Sequence, residues 1–577
     1  MNAKHLYILN RCLWGLLLIF LAVACKDDDS NMDNSALTLL SYTPENGTSI
    51  ASEGIVTLTF SKNVRQASGT EITINDVATR IIITNNVVYC HYALPYASKL
   101  TINIPSGALI DMNGSQAFEG ITLQYPLEIS RKLFDAVVDA NGKGDYTTIN
   151  QAITAAPTNN EEPYLIFVAD GNYNEMLSIS KPYIHLIGQS KDNTRIQYAV
   201  NRTGNSDGTQ GSATSEAWAY SIRNSASPAR QAGYTSENEA VLLIKANSSG
   251  MDFYGENLSI INLFGADGKR YDGGLLLDGQ ADALMTRSDR IAFYNCRMVS
   301  YQDTWWVRMN SGDTYLQARN YADNCWIEGR TDYLYGNANL LVENSTFYNI
   351  TRTNEQNINL GGGPITAGSH YADTNWGHVM LNCTIDGDDV LKGLSSSTTT
   401  LSLGRPWQNE PISVWINTTL NVPIKDGHWD DMSVLPKLYA EYNTMYNNQN
   451  IAVEENIKKE YLLTSGEYAT YEGPYVLTDI SSYTYENIIM GTDGWNPKEY
   501  YSDIPEIDKN SIKLNGTTLT WEGSNTALCY LVFKQVNGKW QYIANTTETS
   551  YEVDDMQGTY DVRAANRYGS LSPAASL

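Results

Sequence analysis

Asn257-Leu258-Ser259-Ile260, Asn295-Cys296-Arg297-Met298 and Asn324-Cys325-Trp326-Ile327 share one short phrase: Asn, in most copies a small residue next, and an apolar residue two places further on. The phrase returns at Asn344-Ser345-Thr346-Phe347, Asn382-Cys383-Thr384-Ile385 and Asn417-Thr418-Thr419-Leu420. Successive Asn lie 38, 29, 20, 38 and 35 residues apart. A short minimum repeat with a variable excess is the signature of a parallel β-helix. Each coil repeats a short strand, while loops of different length bulge from one side. Stacked strands lie about 4.8 Å apart. An inward Asn can therefore hydrogen-bond along the stack, with small or Cys residues packing beside it in layers.

Working outward, the repeat occupies the middle of a 577-residue chain, long enough for about four domains as a prior. Residues 130–500 are too long for one ordinary sandwich and are assigned to the β-helix. Residues 36–127 read as short alternating strands, such as Val56-Thr57-Leu58-Thr59-Phe60 and Leu100-Thr101-Ile102-Asn103-Ile104, with Asn46-Gly47 and Asn113-Gly114 as turns. That rhythm predicts a small β-sandwich and resembles bacterial Ig-like domains. Residues 506–577 predict a second one. There Leu519-Thr520-Trp521 and Tyr560-Asp561-Val562-Arg563-Ala564-Ala565-Asn566 resemble strands of a fibronectin type III domain. The expected fold class is all-β: a right-handed parallel β-helix flanked by two small β-sandwiches.

Composition narrows the function. With 39 Lys+Arg against 64 Asp+Glu, the net charge is −25, which argues against nucleic acid as a partner. There are 39 Tyr and 12 Trp, a composition compatible with sugar binding, and six His, too few to favour multi-His chemistry. No CxxC pair supports a zinc ribbon. At the N-terminus, basic residues precede the apolar run Leu13 to Ala24, too short to span a bilayer. It ends Ala22-Val23-Ala24-Cys25, which resembles a bacterial lipobox. Lys26-Asp27-Asp28-Asp29 resembles the acidic export tag of surface lipoproteins. Residues 1–24 are thus expected to be a lipoprotein signal peptide, Cys25 the lipidated residue and 25–35 a tether. The expected location is the outer membrane, exposed at the cell surface.

Cys325 follows Cys296 by 29 residues, and Asp332 follows Asp303 by the same 29. If the Cys occupy equivalent places on successive coils, the Asp do too. Two carboxyls on neighbouring strands cannot both ionise cheaply, which separates them into an acid and a base or nucleophile. Spacing alone leaves open a solvated Asp pair, and it leaves Cys296 and Cys325 as either stacked thiols or a disulfide.

The surrounding phrases are more specific. Tyr301-Gln302-Asp303-Thr304, Gly329-Arg330-Thr331-Asp332-Tyr333-Leu334-Tyr335-Gly336-Asn337-Ala338 and Leu403-Gly404-Arg405-Pro406-Trp407 occur in this order. They resemble the YQDT, VDFIFGNA and LGRPW segments of the pectin methylesterases, the pectinesterase family. Gly171-Asn172-Tyr173-Asn174-Glu175 resembles the family's GxYxE element, and Gln280-Ala281-Asp282-Ala283-Leu284 its QAxAL.

The resemblance implies hydrolysis of methyl esters on homogalacturonan, releasing methanol. It implies Asp332 as nucleophile, Asp303 as acid and then base, and Gln280 and Gln302 as oxyanion donors. Arg405 would orient Asp332, and Trp306, Tyr335 and Trp407 would line sugar subsites. It calls for no cofactor and no metal. Pectin is the expected partner, with other pectin-degrading enzymes working alongside. Trp305-Trp306 stands where Leu-Tyr is common, and Tyr333-Leu334-Tyr335 replaces Phe-Ile-Phe. The polar stretch 201–237 reads as an inserted loop. Two alternatives stay open: an esterase or thioesterase on a non-pectin ester, and a non-catalytic glycan-binding surface lipoprotein. A polygalacturonase is disfavoured because NTD and GHG motifs are absent, and a serine esterase because no GxSxG stands at a strand-to-helix elbow: the one such spacing, Gly204 to Gly208, falls in the polar stretch 201–237.

Overall fold

The computed structural model describes residues 35–94, 99–128, 131–198, 240–245, 250–263, 281–309, 317–353, 359–452 and 458–576. The leader, Cys25, the tether up to residue 34, the 201–237 stretch and Gln280 lie outside the described residues. No described helix is long and apolar enough to cross a membrane.

The chain divides into two compact units. The first runs to Thr48 and takes in Glu53–Ala93 and Lys99–Tyr125. It holds an antiparallel sheet of Leu39–Thr43, Glu53–Phe60, Val87–Ala93 and Ile82–Thr84. Val56, Leu58 and Phe60 turn inward while the residues between them are more exposed, the alternation of a sheet with one solvated face. Phe60 packs edge-on against Phe118 at 5.1 Å.

The second unit contains a solenoid of three parallel sheets, with ten, nine and seven strands, the second sheet ending in an additional antiparallel strand, Gln449–Asn450. Strand order follows the chain in steps of one coil, the topology of a parallel β-helix, with the right-handed sense that parallel crossovers take. In the second sheet the partners are Ser259↔Arg297, Arg297↔Trp326, Trp326↔Thr346, Thr346↔Thr384 and Thr384↔Thr419. These offsets are the 38, 29, 20, 38 and 35 of the Asn repeat.

The repeated Asn performs a different task from the one expected. Asn257, Asn295, Asn324, Asn344, Asn382 and Asn417 all have φ between 48° and 55°, the left-handed region that Asn tolerates better than other side chains. That turn swings each side chain to the outer corner, where four of the six are exposed, instead of the interior. A ladder still forms there. Asn295 Nδ2 donates to Asn257 Oδ1 at 2.6 Å, and Asn324 Nδ2 to Asn295 Oδ1 at 3.2 Å. Further along, Asn417 donates to Asn382 and Asn443 to Asn417, each at 3.0 Å. The inward layer is the next residue: Leu258, Cys296, Cys325, Ser345, Cys383 and Thr418 are all buried. Cys296 and Cys325 are stacked free thiols, not a disulfide. Burial pushes the Cys325 thiol up to about 12 and keeps it protonated.

The open end of the solenoid is closed by the helix Ile149–Ala155, which buries Ile149, Ala152 and Ile153. Its N-terminal amides are answered by Glu175: Ile149 N–H and Asn150 N–H donate to the two carboxylate oxygens at 2.9 and 3.0 Å. Lys181 Nζ donates to the carbonyls of Ile153, Thr154 and Ala156 at the other end.

Residues 506–576 add two antiparallel sheets to the same unit. The run Cys529-Tyr530-Leu531-Val532-Phe533 is buried on both faces. Tyr530 and Val532 join Leu519, Trp521 and Val562 in the sandwich core. Leu531 and Phe533, with Tyr542, pack instead against Val137, Leu165, Phe167 and Ile187 on the outer face of the first solenoid sheet.

Candidate active site

The 29-residue arithmetic extends to the strands on both sides of the aspartates. Arg297↔Trp326 precedes them in the second sheet, and Trp305↔Leu334 with Trp306↔Tyr335 follows them in the third. Asp303 and Asp332 therefore hold equivalent corners of adjacent coils, about one strand spacing apart. Both corners are left-handed, with φ of 62° and 49°. Gln302 and Thr331 bridge in parallel beside them, and Asp303 N–H donates to Thr331 O at 3.2 Å. Both aspartates are buried, at 3% and 6% exposure, so their carboxylates sit largely out of water.

Arg405 arrives from two coils further on. In the third sheet the register runs Trp306↔Tyr335↔Ala367↔Arg405, which places the guanidinium in the same outward row as the two aromatics. Arg405 Nε donates to Asp332 Oδ1 at 2.8 Å and Nη2 donates to Oδ2, a bidentate fork. Burial opposes the Arg405 charge. The charge and hydrogen bonds of Asp332, with Asp430 and Asp303 behind it, outweigh that and hold the guanidinium above its usual range. Gly404 is required beside it, because a Cβ there would lie 2.0 Å from Thr366 Oγ1.

The remaining candidates fall around this pair. The Gln302 side chain is half-buried, and its Oε1 is buried without a hydrogen-bond partner among the described residues. Trp306 and Tyr335 stack at 5.3 Å and 16°, and Trp407 meets Tyr335 edge-on at 5.9 Å. Trp306 and Tyr335 are largely covered, and Trp407 is the half-exposed member of the row. Beyond the row, a 350 Å³ groove is lined by Trp306, Arg308, Asn337, Tyr371, Trp407 and Gln408 among others.

Sequence reasoning passed over several neighbours. Asp282, inside the quoted Gln280–Leu284 phrase, is buried and accepts from Tyr335 Oη at 2.8 Å, fixing that ring. Arg330 is fully buried with its guanidinium 4.0 Å over the Tyr301 ring. Tyr439 stacks on Trp429 at 4.4 Å in the solenoid interior. Burial, and next the charge of Asp332, push its phenol well above its usual range, so it stays protonated. Arg308 had a readable signal: it continues the outward alternation from Trp306. Among the described residues no group of three or more His, Cys, Asp or Glu is placed to hold a metal ion.

A buried carboxylate clamped by an arginine, with a second carboxylate one coil away and the Gln302 amide next to it in sequence, is a constellation that can carry acyl transfer at an ester. A "Probable pectinesterase/pectinesterase inhibitor 20" of Arabidopsis thaliana is 28% identical over 391 residues, covering 64% of this chain and 58% of that protein. A "Pectinesterase" of Petunia integrifolia is 27% identical over 329 residues, covering 56% and 73%. Against the first two Arabidopsis relatives the chain spans about half of their length, 58% and 46%. Among solved structures, a carrot pectin methylesterase aligns with a TM-score of 0.46 at 24% identity, over 63% of this chain and 96% of the other. Pectin methylesterase PemA from Erwinia chrysanthemi aligns with 0.45 at 23%, over 63% and 99%. The Pectinesterase family model matches residues 135–249 and 245–459. That match covers more than half the chain and both aspartates, Gln302 and Arg405, so the chain belongs to the pectinesterase family.

Proposed function

We propose that this chain hydrolyses the methyl esters of homogalacturonan, turning pectin and water into pectate and methanol. The supporting observation is the Arg405–Asp332 fork one coil from Asp303. The fork keeps Asp332 ionised and aims it at an ester carbonyl. Attack by its carboxylate forms a tetrahedral oxyanion, which the Gln302 amide stabilises together with Gln280. Collapse transfers a proton from Asp303 to departing methanol and leaves an acyl group on Asp332. Asp303, now a carboxylate, takes a proton from water, and the hydroxide it generates attacks the acyl carbon. Pectate departs and both aspartates return to their starting forms.

No step calls for a metal ion, so chelation with EDTA is expected to leave the rate unchanged. Wild-type protein should release methanol from highly methylated pectin without generating ultraviolet-absorbing unsaturated products. Unsaturated products would assign a lyase. Turnover of other esters or thioesters with no methanol from pectin would move the substrate elsewhere.

The same reading places the protein at the outer-membrane surface, anchored by lipid on Cys25. Pectate produced there would pass to other pectin-degrading enzymes. The 36–127 and 506–577 regions act as Ig-like and fibronectin type III-like modules.

A further inference from the structure

The fork that holds Asp332 also weakens it. A carboxylate whose charge is met by a guanidinium is less basic, and a poorer nucleophile for that reason. The structure sets a second carboxylate against the same guanidinium. The parallel bridge Gly404↔Trp429, with Asp430 N–H donating to Gly404 O at 3.0 Å, adds one more rung beyond Arg405. Trp429 turns into the core, and Asp430 stands half-buried on the outward side, about one strand spacing from Arg405. Both of its oxygens are held: Ser402 Oγ donates to Oδ2 at 2.9 Å, and Lys425 Nζ pairs with Oδ1. The turn between Lys425 and Asp430 is pinned from inside. Gly427 and His428 take left-handed φ of 81° and 56°. The His428 ring Nδ1–H and Thr444 Oγ1 each donate to the buried Glu441 carboxylate at 2.6 Å. Charge therefore alternates along this face, in the order Asp332, Arg405, Asp430, Lys425.

A negative charge on the far side of Arg405 balances part of the field that the guanidinium exerts on Asp332. The charge of Asp430 also helps to hold that guanidinium above its usual range. Facing Asp332 are Arg405, Asp303 on the previous coil and the Tyr439 phenol in the interior. Behind Arg405 stand Asp430 and Lys425, and next to them the Asp431–Lys458 pair at 2.8 Å. We propose that Asp430 is a positioning residue that acts through Arg405: it seats the guanidinium between two carboxylates and shares its charge, so that Asp332 stays aimed yet reactive toward the ester. Lys425 sets how much of the Asp430 charge reaches Arg405. This inference rests on the esterase reading for its reaction.

Two substitutions carry opposite signs. Asp430→Asn keeps the size and one accepting oxygen but removes a negative charge, so Asp332 should become easier to ionise. Lys425→Gln removes the positive charge that Asp430 answers, so Asp332 should become harder to ionise. The acidic limb of kcat/KM for methanol release from highly methylated pectin should move down by about 0.5–1 pH unit in Asp430→Asn, and up by a smaller amount in Lys425→Gln. In Asp430→Asn, kcat on the plateau should fall about fivefold while KM stays within about twofold of wild type. Asp430→Glu, which keeps the charge, should retain most of kcat. Limbs that stay in place in both variants, or move the same way, would overturn the assignment. So would an Asp430→Glu no more active than Asp430→Asn. The ionisation of Asp332 can also be followed without turnover, by carbon NMR of isotope-labelled aspartate carboxyls, its signal identified by loss in Asp332→Asn. It should show the same opposite shifts. A wild type that releases no methanol yet shows them would sink the esterase reading and leave the charge alternation standing.

Discussion

Asp332 gains its character from what surrounds it. Arg405 answers both of its oxygens, and burial removes the water that would otherwise compete. Lysine in place of Arg405 keeps a charge but loses the planar fork. Arg405→Lys should lower kcat for methanol release about 10–100-fold, the worth of one charge-assisted hydrogen bond. Arg405→Ala strands a buried carboxylate and should also cost about 3–5 kcal/mol of stability, read by chemical unfolding. Gln302 gives the contrasting case. Its buried Oε1 has no hydrogen-bond partner among the described residues, so Gln302→Ala should leave the unfolding midpoint nearly unchanged. It should still lower kcat about 10²–10³-fold by removing an oxyanion donor. A parallel loss of stability and activity would show that Gln302 is structural. At this scale the 29-residue offset made the aspartate corners legible. The surroundings of Arg308 were not, because period-2 alternation identifies an outward residue but says nothing of what it faces.

At the scale of coils and strands, the Asn phrase carries the fold through backbone conformation as much as through hydrogen bonding. Asn295 occupies a left-handed corner and belongs to two ladder bonds. Asn295→Ala should cost about 3–4 kcal/mol: about 1–2 because Ala lacks the short polar side chain that lets Asn adopt the left-handed corner, and about 1 for each of the two lost bonds. Asn295→Gly keeps the corner and loses only the ladder, so urea unfolding should find it the more stable of the two. Equal destabilisation would show that conformation contributes nothing. The spacing of the phrase gave the coil register directly because each Asn sits at the same corner. The direction of the side chain was misread because small and Cys neighbours look like partners in one inward layer, when the turn sends the Asn out and its successor in. The Gly171–Glu175 phrase was recognisable by resemblance alone. Its physical reason, a carboxylate on the N-terminus of the capping helix, needed the fold.

At the scale of the second unit, the C-terminal sandwich covers an apolar face of the solenoid instead of standing apart from it. Polar contacts lie buried within that seam. Glu256 accepts from Tyr254 Oη at 2.8 Å, from Ser570 Oγ, and from Asn257 Nδ2 at 3.1 Å. Burial, partly offset by the Ser570 and Tyr254 hydrogen bonds, pushes its carboxyl up to about 7 from the ordinary 4.5. Between those two values the native state holds a proton that the unfolded chain has lost, so this group's contribution to stability falls as pH rises through the window. His185, whose Nδ1–H donates to Tyr568 O at 3.0 Å, runs the opposite way. Burial holds it down to about 4 from 6.5, so its contribution grows as pH rises between those values. Glu256→Gln removes the first effect and keeps the second. The unfolding free energy of the variant minus that of wild type should therefore increase by about 3 kcal/mol between pH 4.5 and 7.5. A pH-independent difference would mean that Glu256 is ionised in the native seam. The sandwich strands were readable from their alternation. Their docking was not, although the unbroken apolar run Cys529–Phe533 signals a strand buried on both faces.

The account's central claim is that Asp332 attacks the ester while Asp303 moves the proton. The most direct test is the rate of methanol release from highly methylated pectin by Asp332→Asn, with the fold checked by circular dichroism. The account predicts a fall in kcat of about 10³-fold or more in a folded protein. Release at close to the wild-type rate would contradict it.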